Sequence, residues 1–206
     1  MANAPPTTTG QDILAAIQRT QVKNKPSHEC HAPGFGLDMD ECHPGLYIGD
    51  LVGKATRPPA GAAKNKAYLQ KMGITHVLNT AQGSKFATVD TDAGYYEDVG
   101  IQYMGMKLLD FPSANIAQYF ESGADFIEEA LNGGDCTLTG KILVHCFMGI
   151  SRSSTIACAY LMLKKSKSAV DAIQSLRRNR AIYPNDGFLK QLAELDNKLK
   201  KERTQL

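Results

Sequence analysis

Apolar positions along the chain fall into short blocks separated by Gly- and Pro-rich breaks. The spacing within a block switches between that of a helix and that of a strand. Ile13, Leu14 and Ile17 lie on one helical stripe and predict a short amphipathic helix over 12–19, behind a disordered tail at 1–8. From Gln21 to Pro44 no period holds, and the composition turns to Pro, Gly, His, Cys and Asp, as in a connecting loop. Leu46-Tyr-Ile48 is a brief strand. Ala67, Tyr68, Leu69 and Met72 predict a helix over 64–72 stopped by Gly73, and a strand follows at 74–79.

Residues 101–108 are too short and too β-rich for a helix, and Asp110-Phe-Pro-Ser-Ala breaks them, so a loop stands at that strand's end. Ile116, Tyr119, Phe120, Ala124, Ile127 and Leu131 predict a long helix ended by Gly133-Gly134. Lys141-Ile-Leu-Val-His-Cys146 is apolar throughout its middle, as in a strand buried on both faces, and helices are predicted over 152–163, 168–178 and 186–200. Strands alternating with helices in this way make an α/β fold with a central, mostly parallel sheet flanked by helices, plus a short N-terminal helix.

Composition narrows the function classes. The 206 residues hold 23 basic and 21 acidic side chains, and a net charge of +2 gives no electrostatic footprint for nucleic acid or an anionic membrane. No run approaches the roughly 18 apolar residues of a membrane span, and the first residues lack the pattern of a secretory signal, so an intracellular protein is expected. Five cysteines, an odd and sparse set, read as reduced thiols, with Cys158 a core residue and Cys42 a redox partner if the fold brings it near Cys146. His28, Cys30, His31, Cys42 and His43 are metal-ligand types, but their spacing lacks the paired separations that zinc sites use, and no metal or cofactor is expected.

The chemistry concentrates where strand 141–145 runs into Cys146-Phe-Met-Gly-Ile-Ser-Arg152 and a helix begins at once. A tight loop at a helix N-terminus gathers backbone N–H groups and the positive end of the helix dipole on one point, which suits a phosphate. Gly149 permits the positive φ such a loop needs. The same groups stabilise a thiolate, so Cys146 is read as the nucleophile, and Arg152 supplies the planar fork that clamps phosphate oxygens. Phe147, Met148, Gly149, Ile150, Ser151 and Arg152 are the predicted substrate cradle. His145 orients the loop, and Asn79 and Asn185 are read as supports.

His145-Cys-Phe-Met-Gly-Ile-Ser-Arg-Ser153 resembles the H-C-x-x-G-x-S-R-S signature of the cysteine-dependent dual-specificity protein phosphatases. Leu46-Tyr-Ile-Gly49, Gly73-Ile-Thr-His-Val-Leu-Asn79 and Asn185-Asp-Gly-Phe-Leu-Lys-Gln-Leu192 resemble landmarks of its small, atypical members that consist of the catalytic domain alone. The resemblance spans about 44–199 and implies a tail, helix and loop over 1–43, a catalytic domain over 44–200 and a short tail over 201–206. It implies Asp110 as the general acid, because Asp110 follows a strand and precedes the Tyr119-Phe120 pair. It implies Ser153 as the hydroxyl that assists departure of the sulfur, Ser153 also suiting a helix N-cap, and Arg180 as a receiver for a second phosphate.

The activity so implied is dephosphorylation of phosphotyrosine, phosphoserine and phosphothreonine in proteins through a phosphocysteine. The partners are phosphorylated proteins, a MAP kinase among the candidates, and the location cytoplasmic or also nuclear. A lipid or RNA phosphatase on the same scaffold and a silent phosphopeptide-binding scaffold are the alternatives. A sulfur-transfer enzyme or an arsenate reductase ranks last.

Overall fold

A computed structural model of the chain describes residues 6–23, 39–51, 61–133 and 140–205. Helix α1 (Gly10–Arg19) opens the fold, followed by strands β1 (Met39–His43) and β2 (Leu46–Gly49) and helix α2 (Lys66–Lys71). Strand β3 (His76–Asn79), the short helix α3 (Ala93–Tyr96) and strand β4 (Gln102–Gly105) come next. Helix α4 (Phe120–Asn132), strand β5 (Ile142–His145) and helices α5 (Arg152–Lys164), α6 (Ala169–Arg177) and α7 (Asp186–Thr204) complete it.

The five strands form one sheet in the order β1-β2-β5-β3-β4, parallel throughout except for the antiparallel β1 edge. Strand β1 corrects the reading of 21–44 as loop throughout. Its sequence, Met-Asp-Glu-Cys-His, lacks the apolar run of a central strand because it lies at the edge of the sheet with one edge paired, burying Met39 and Cys42 and leaving Asp40, Glu41 and His43 only half-buried. Gly45, at φ +75°, turns the chain back into β2.

Alternation along the strands sorts the core into two layers. Leu46, Ile48, Leu78, Ile142 and Val144 pack with residues of α1 and α4 to α7, whereas Tyr47, Val77 and Leu143 pack with Leu69, Tyr96 and Ile101 on the other face. Helix α5 is buried from Arg152 to Met162, so it runs through the interior and carries no polar stripe. No helix of the described residues is long and apolar enough to cross a membrane.

Helix α1 starts with a reciprocal cap between Thr9 and Asp12 and buries Ile13, Ala16 and Ile17, packing on α6 and α7. The segment before it is not free up to residue 8: Thr8 donates to Asp196 Oδ2 at 2.5 Å and to Asn197 Oδ1 through its N–H at 2.8 Å. Register aligns Gly49, His145, Asn79 and Gly105 across the sheet, so the four parallel strands end together. Cys146 is the next residue on the central one. That carboxyl edge is where open α/β sheets hold their ligands.

Candidate active site

Between β5 and α5 the chain wraps around the Cys146 sulfur. The Gly149 N–H donates to Sγ at 3.2 Å, and the Ser153 hydroxyl donates to it at 3.5 Å. Burial alone pushes the thiol up. The Arg152 charge, the Ser153 hydroxyl and the N–H groups of Ser153 and Ile150 outweigh it, and the Cys146 pKa comes out below that of an ordinary thiol. The loop turns at Gly149, whose φ is +66°, and a Cβ there would collide with the Gly49 carbonyl and the Arg180 guanidinium. Glycine is therefore required twice over at this position.

Arg152 is buried, and its guanidinium is aimed by backbone oxygens from two other loops: Nη1 donates to the Leu108 carbonyl at 3.2 Å and Nη2 to the Ala87 carbonyl at 3.0 Å. Nε lies 3.4 Å from Asp110 Oδ2, near enough for ionic attraction but without a hydrogen bond. The Nε hydrogen and the second hydrogen on Nη2 are thus the parallel pair available to two oxygens of a phosphate.

Asp110 joins the same group of residues. Its Oδ1 accepts from the Ser151 hydroxyl and from Asn185 Nδ2, both at 2.8 Å, which leaves Oδ2 on the side of Arg152. Asn185 does two jobs, since its Oδ1 also caps α7 by accepting from the Phe188 N–H at 3.0 Å. The loop bearing Asp110 is pressed against α7 so closely that a side chain at Gly187 would collide with the Pro112 carbonyl.

Three readings are corrected by these contacts. Ser153 is not the N-cap of α5: the cap position is Ser151, whose hydroxyl serves Asp110 instead, and Ser153 sits in the first turn with its hydroxyl on the sulfur. Arg180 is buried beneath the loop and does not face the cleft, so it is no receiver of a second phosphate. Its Nε donates to the Gly149 carbonyl at 2.8 Å, one Nη to the Met148 carbonyl at 3.3 Å and the other to Asp40 at 2.7 Å, so it braces the cradle from below. Cys42 lies level with Ile142 and Leu143, about 10 Å back along the sheet from Cys146 and two strands over. Burial raises its thiol to about 12, and it is no redox partner.

The supporting residues divide the work. His145 is fully buried with Nδ1 3.3 Å from the Cys146 carbonyl, and burial holds its imidazole down at about 4, so it is neutral and orients the loop. Asn79 supports a different loop from the one expected. Its Nδ2 donates to the Val89 carbonyl, and its Oδ1 accepts from the Ala81 N–H, fixing the segment that carries Ala87 to Arg152. The carbonyls of Phe147, Ile150 and Ser151 accept from the N–H groups of Leu51, Tyr183 and Thr155, while the Met148 side chain stands exposed. Leu108 and Ala87 were missed because a carbonyl acceptor leaves no signature in a side chain. Cys158 is core, as expected. Among the described residues no group of His, Cys, Asp and Glu is fit to hold a metal, and His28, Cys30 and His31 lie outside them.

A buried thiol of lowered pKa, a guanidinium fork and a carboxylate thus stand together at the carboxyl end of β5. Residues 59–198 match the model of the dual specificity phosphatase catalytic domain. Human DUSP28 has the same fold, with a TM-score of 0.61 at 23% identity, over 82% of this chain and 95% of that one. DUSP15 is 29% identical, with a TM-score of 0.57, over 82% of this chain and 97% of that one. PTPMT1 in complex with PI(5)P shares the fold at 17% identity and a TM-score of 0.62, over 80% and 98%. With a family match over more than half its length and the signature loop folded around its thiol, the chain belongs to the dual-specificity phosphatase family.

Proposed function

We propose that the protein removes phosphate from tyrosine and from serine or threonine in phosphoproteins, in two steps through a phosphocysteine at Cys146. The Cys146 thiolate attacks phosphorus, and the bond from phosphorus to the departing oxygen breaks. Asp110 gives that oxygen its proton, so a neutral hydroxyl leaves. Water then attacks the phosphocysteine with Asp110 taking its proton, and the electron pair returns to sulfur, where the Ser153 hydroxyl receives the developing charge. Arg152 and the loop N–H groups hold the three equatorial oxygens in both steps.

The observation that carries this reading is the convergence on Cys146 Sγ of the Gly149 N–H and the Ser153 hydroxyl, with Asp110 Oδ2 beside Arg152 Nε. The phosphoinositide complex of PTPMT1 raises a lipid substrate as the second reading. Against it, the residues between Cys146 and Arg152 are Phe, Met, Gly, Ile and Ser, with no basic side chain to meet a second phosphate. Phosphotyrosine and phosphothreonine peptides, phosphoinositides and an RNA 5′-triphosphate, each tested with wild type and Cys146→Ser, separate the readings. Turnover of the peptides that Cys146→Ser abolishes is the expected result. Turnover of lipid or RNA alone contradicts it.

A further inference from the structure

Among the described residues five large apolar side chains are exposed, and all five stand on segments that build the phosphate site. Phe86, 94% exposed, precedes Ala87, whose carbonyl holds Arg152; its ring centroid is 6.4 Å from that of Phe147. Leu109 and Phe111, 46% and 59% exposed, flank Asp110 on either side. Met148, 58% exposed, belongs to the loop around Cys146, and Tyr183, 45% exposed, gives its N–H to the Ile150 carbonyl of that loop at 2.9 Å. Scattered exposed hydrophobics are ordinary on a protein surface, but a set confined to the rim of one polar pocket marks a surface that is covered in use.

What covers it is limited by its position. Any occupant has a phosphate seated at Cys146, so the groups that reach the rim are those adjoining the phosphorylated residue. Among the described residues Lys85 and Lys107 are the exposed cations next to these rim side chains, and they stand singly, too few to hold the surface of an anionic bilayer. Acidic flanks would find little to pair with and would lose hydration against Phe86 and Phe111.

We infer that this rim is a specificity surface for phosphopeptides with bulky apolar side chains next to the phosphorylated residue, with Phe86 and Phe111 as its two gripping residues. The inference rests on the protein-phosphatase reading above. Phosphate binding fixes the depth of the substrate, and apolar flanks then displace water from the two aromatic rings, which adjoin in sequence the two residues, Ala87 and Asp110, that stand against Arg152. Phosphopeptides with Leu or Phe in the flanking positions are preferred over those with Asp or Glu by about tenfold or more in kcat/KM.

The test compares two phosphotyrosine peptides that differ only in these flanks, a small aryl phosphate without flanks, and vesicles containing a phosphoinositide. Enzymes are wild type, Phe86→Ser, Phe86→Leu and Phe111→Ser, and each peptide rate is divided by the aryl phosphate rate of the same enzyme. The expected result is an apolar preference in wild type that falls about tenfold in either Ser variant and persists in Phe86→Leu. Equal rates for both peptides in wild type, or an equal loss on peptide and aryl phosphate in the Ser variants, overturns the specificity surface and leaves the protein-phosphatase reading standing. Turnover of the vesicles with neither peptide hydrolysed overturns both.

Discussion

The guanidinium of Arg152 is tied to the carbonyl of Ala87 at 3.0 Å, and Ala87 holds a left-handed backbone at φ +58° to offer it. Such a conformation costs a residue with a Cβ about 1–2 kcal/mol. It persists because the surrounding loop is fixed by Asn79, by the Gln82 and Val89 bridge and by the Thr88 hydroxyl on the Lys85 carbonyl. Ala87→Gly relieves the strain and is expected to keep kcat/KM within a few-fold and thermal stability near wild type. Ala87→Val, which resists a positive φ, is expected to lower kcat/KM by about tenfold or more through loss of the Arg152 anchor. Steady-state kinetics beside melting curves check both, and a Val variant as active as the Gly variant contradicts the anchoring role.

Asp110 is expected to show its role through leaving groups. Asp110→Asn keeps the shape of the contacts to Ser151 and Asn185 but cannot donate the proton. Turnover of phosphotyrosine peptides and alkyl phosphates is expected to fall by about 100-fold or more, while an aryl phosphate with a strongly acidic leaving group is largely spared. A series of aryl phosphates of graded leaving-group pKa measures this as a steeper slope in the variant. An unchanged slope assigns the acid elsewhere.

His145 couples stability to pH with a definite sign. Its imidazole sits at about 4 in the folded protein, against an ordinary value of 6.5, because burial disfavours the cation. The unfolded chain therefore takes up a proton that the folded chain refuses between those values. Stability contributed by this group is complete above pH 6.5 and is lost progressively as pH falls toward 4, at up to about 1.4 kcal/mol per pH unit. Urea denaturation of wild type and His145→Gln from pH 7 to 4 is expected to show a shallower decline in the variant. Parallel declines contradict a neutral buried imidazole.

Legibility in the sequence followed where information is carried by side chains. The stretch from Lys141 to Met162 announces its strand, loop and helix, because the apolar run Ile142-Leu-Val144 and the largely apolar run from Ile156 to Met162 flank a loop with a Cys, a Gly and an Arg. Helices α1, α4, α6 and α7 were predicted near their observed ends from apolar spacing. Strand β1 was not, since an edge strand that buries only Met39 and Cys42 has few apolar positions to give. The function of Arg180 was not legible either. A helix-end arginine looks the same in sequence whether it faces solvent or lies under a loop, and only the fold places its Nε on the Gly149 carbonyl. Nor could the carbonyls of Ala87 and Leu108 be found, as any residue supplies one.

The central claim is a covalent bond between Cys146 sulfur and phosphorus, and trapping that species tests it most directly. Ser153→Ala removes the hydroxyl 3.5 Å from Sγ and is expected to slow breakdown more than formation, so the intermediate accumulates. Acid quenching during turnover of a phosphotyrosine peptide, followed by peptide mass analysis, is expected to find one phosphoryl group on the Cys146 peptide of Ser153→Ala and none on that of Cys146→Ser. Phosphate found on any other residue, or rapid turnover by Cys146→Ser, contradicts the account.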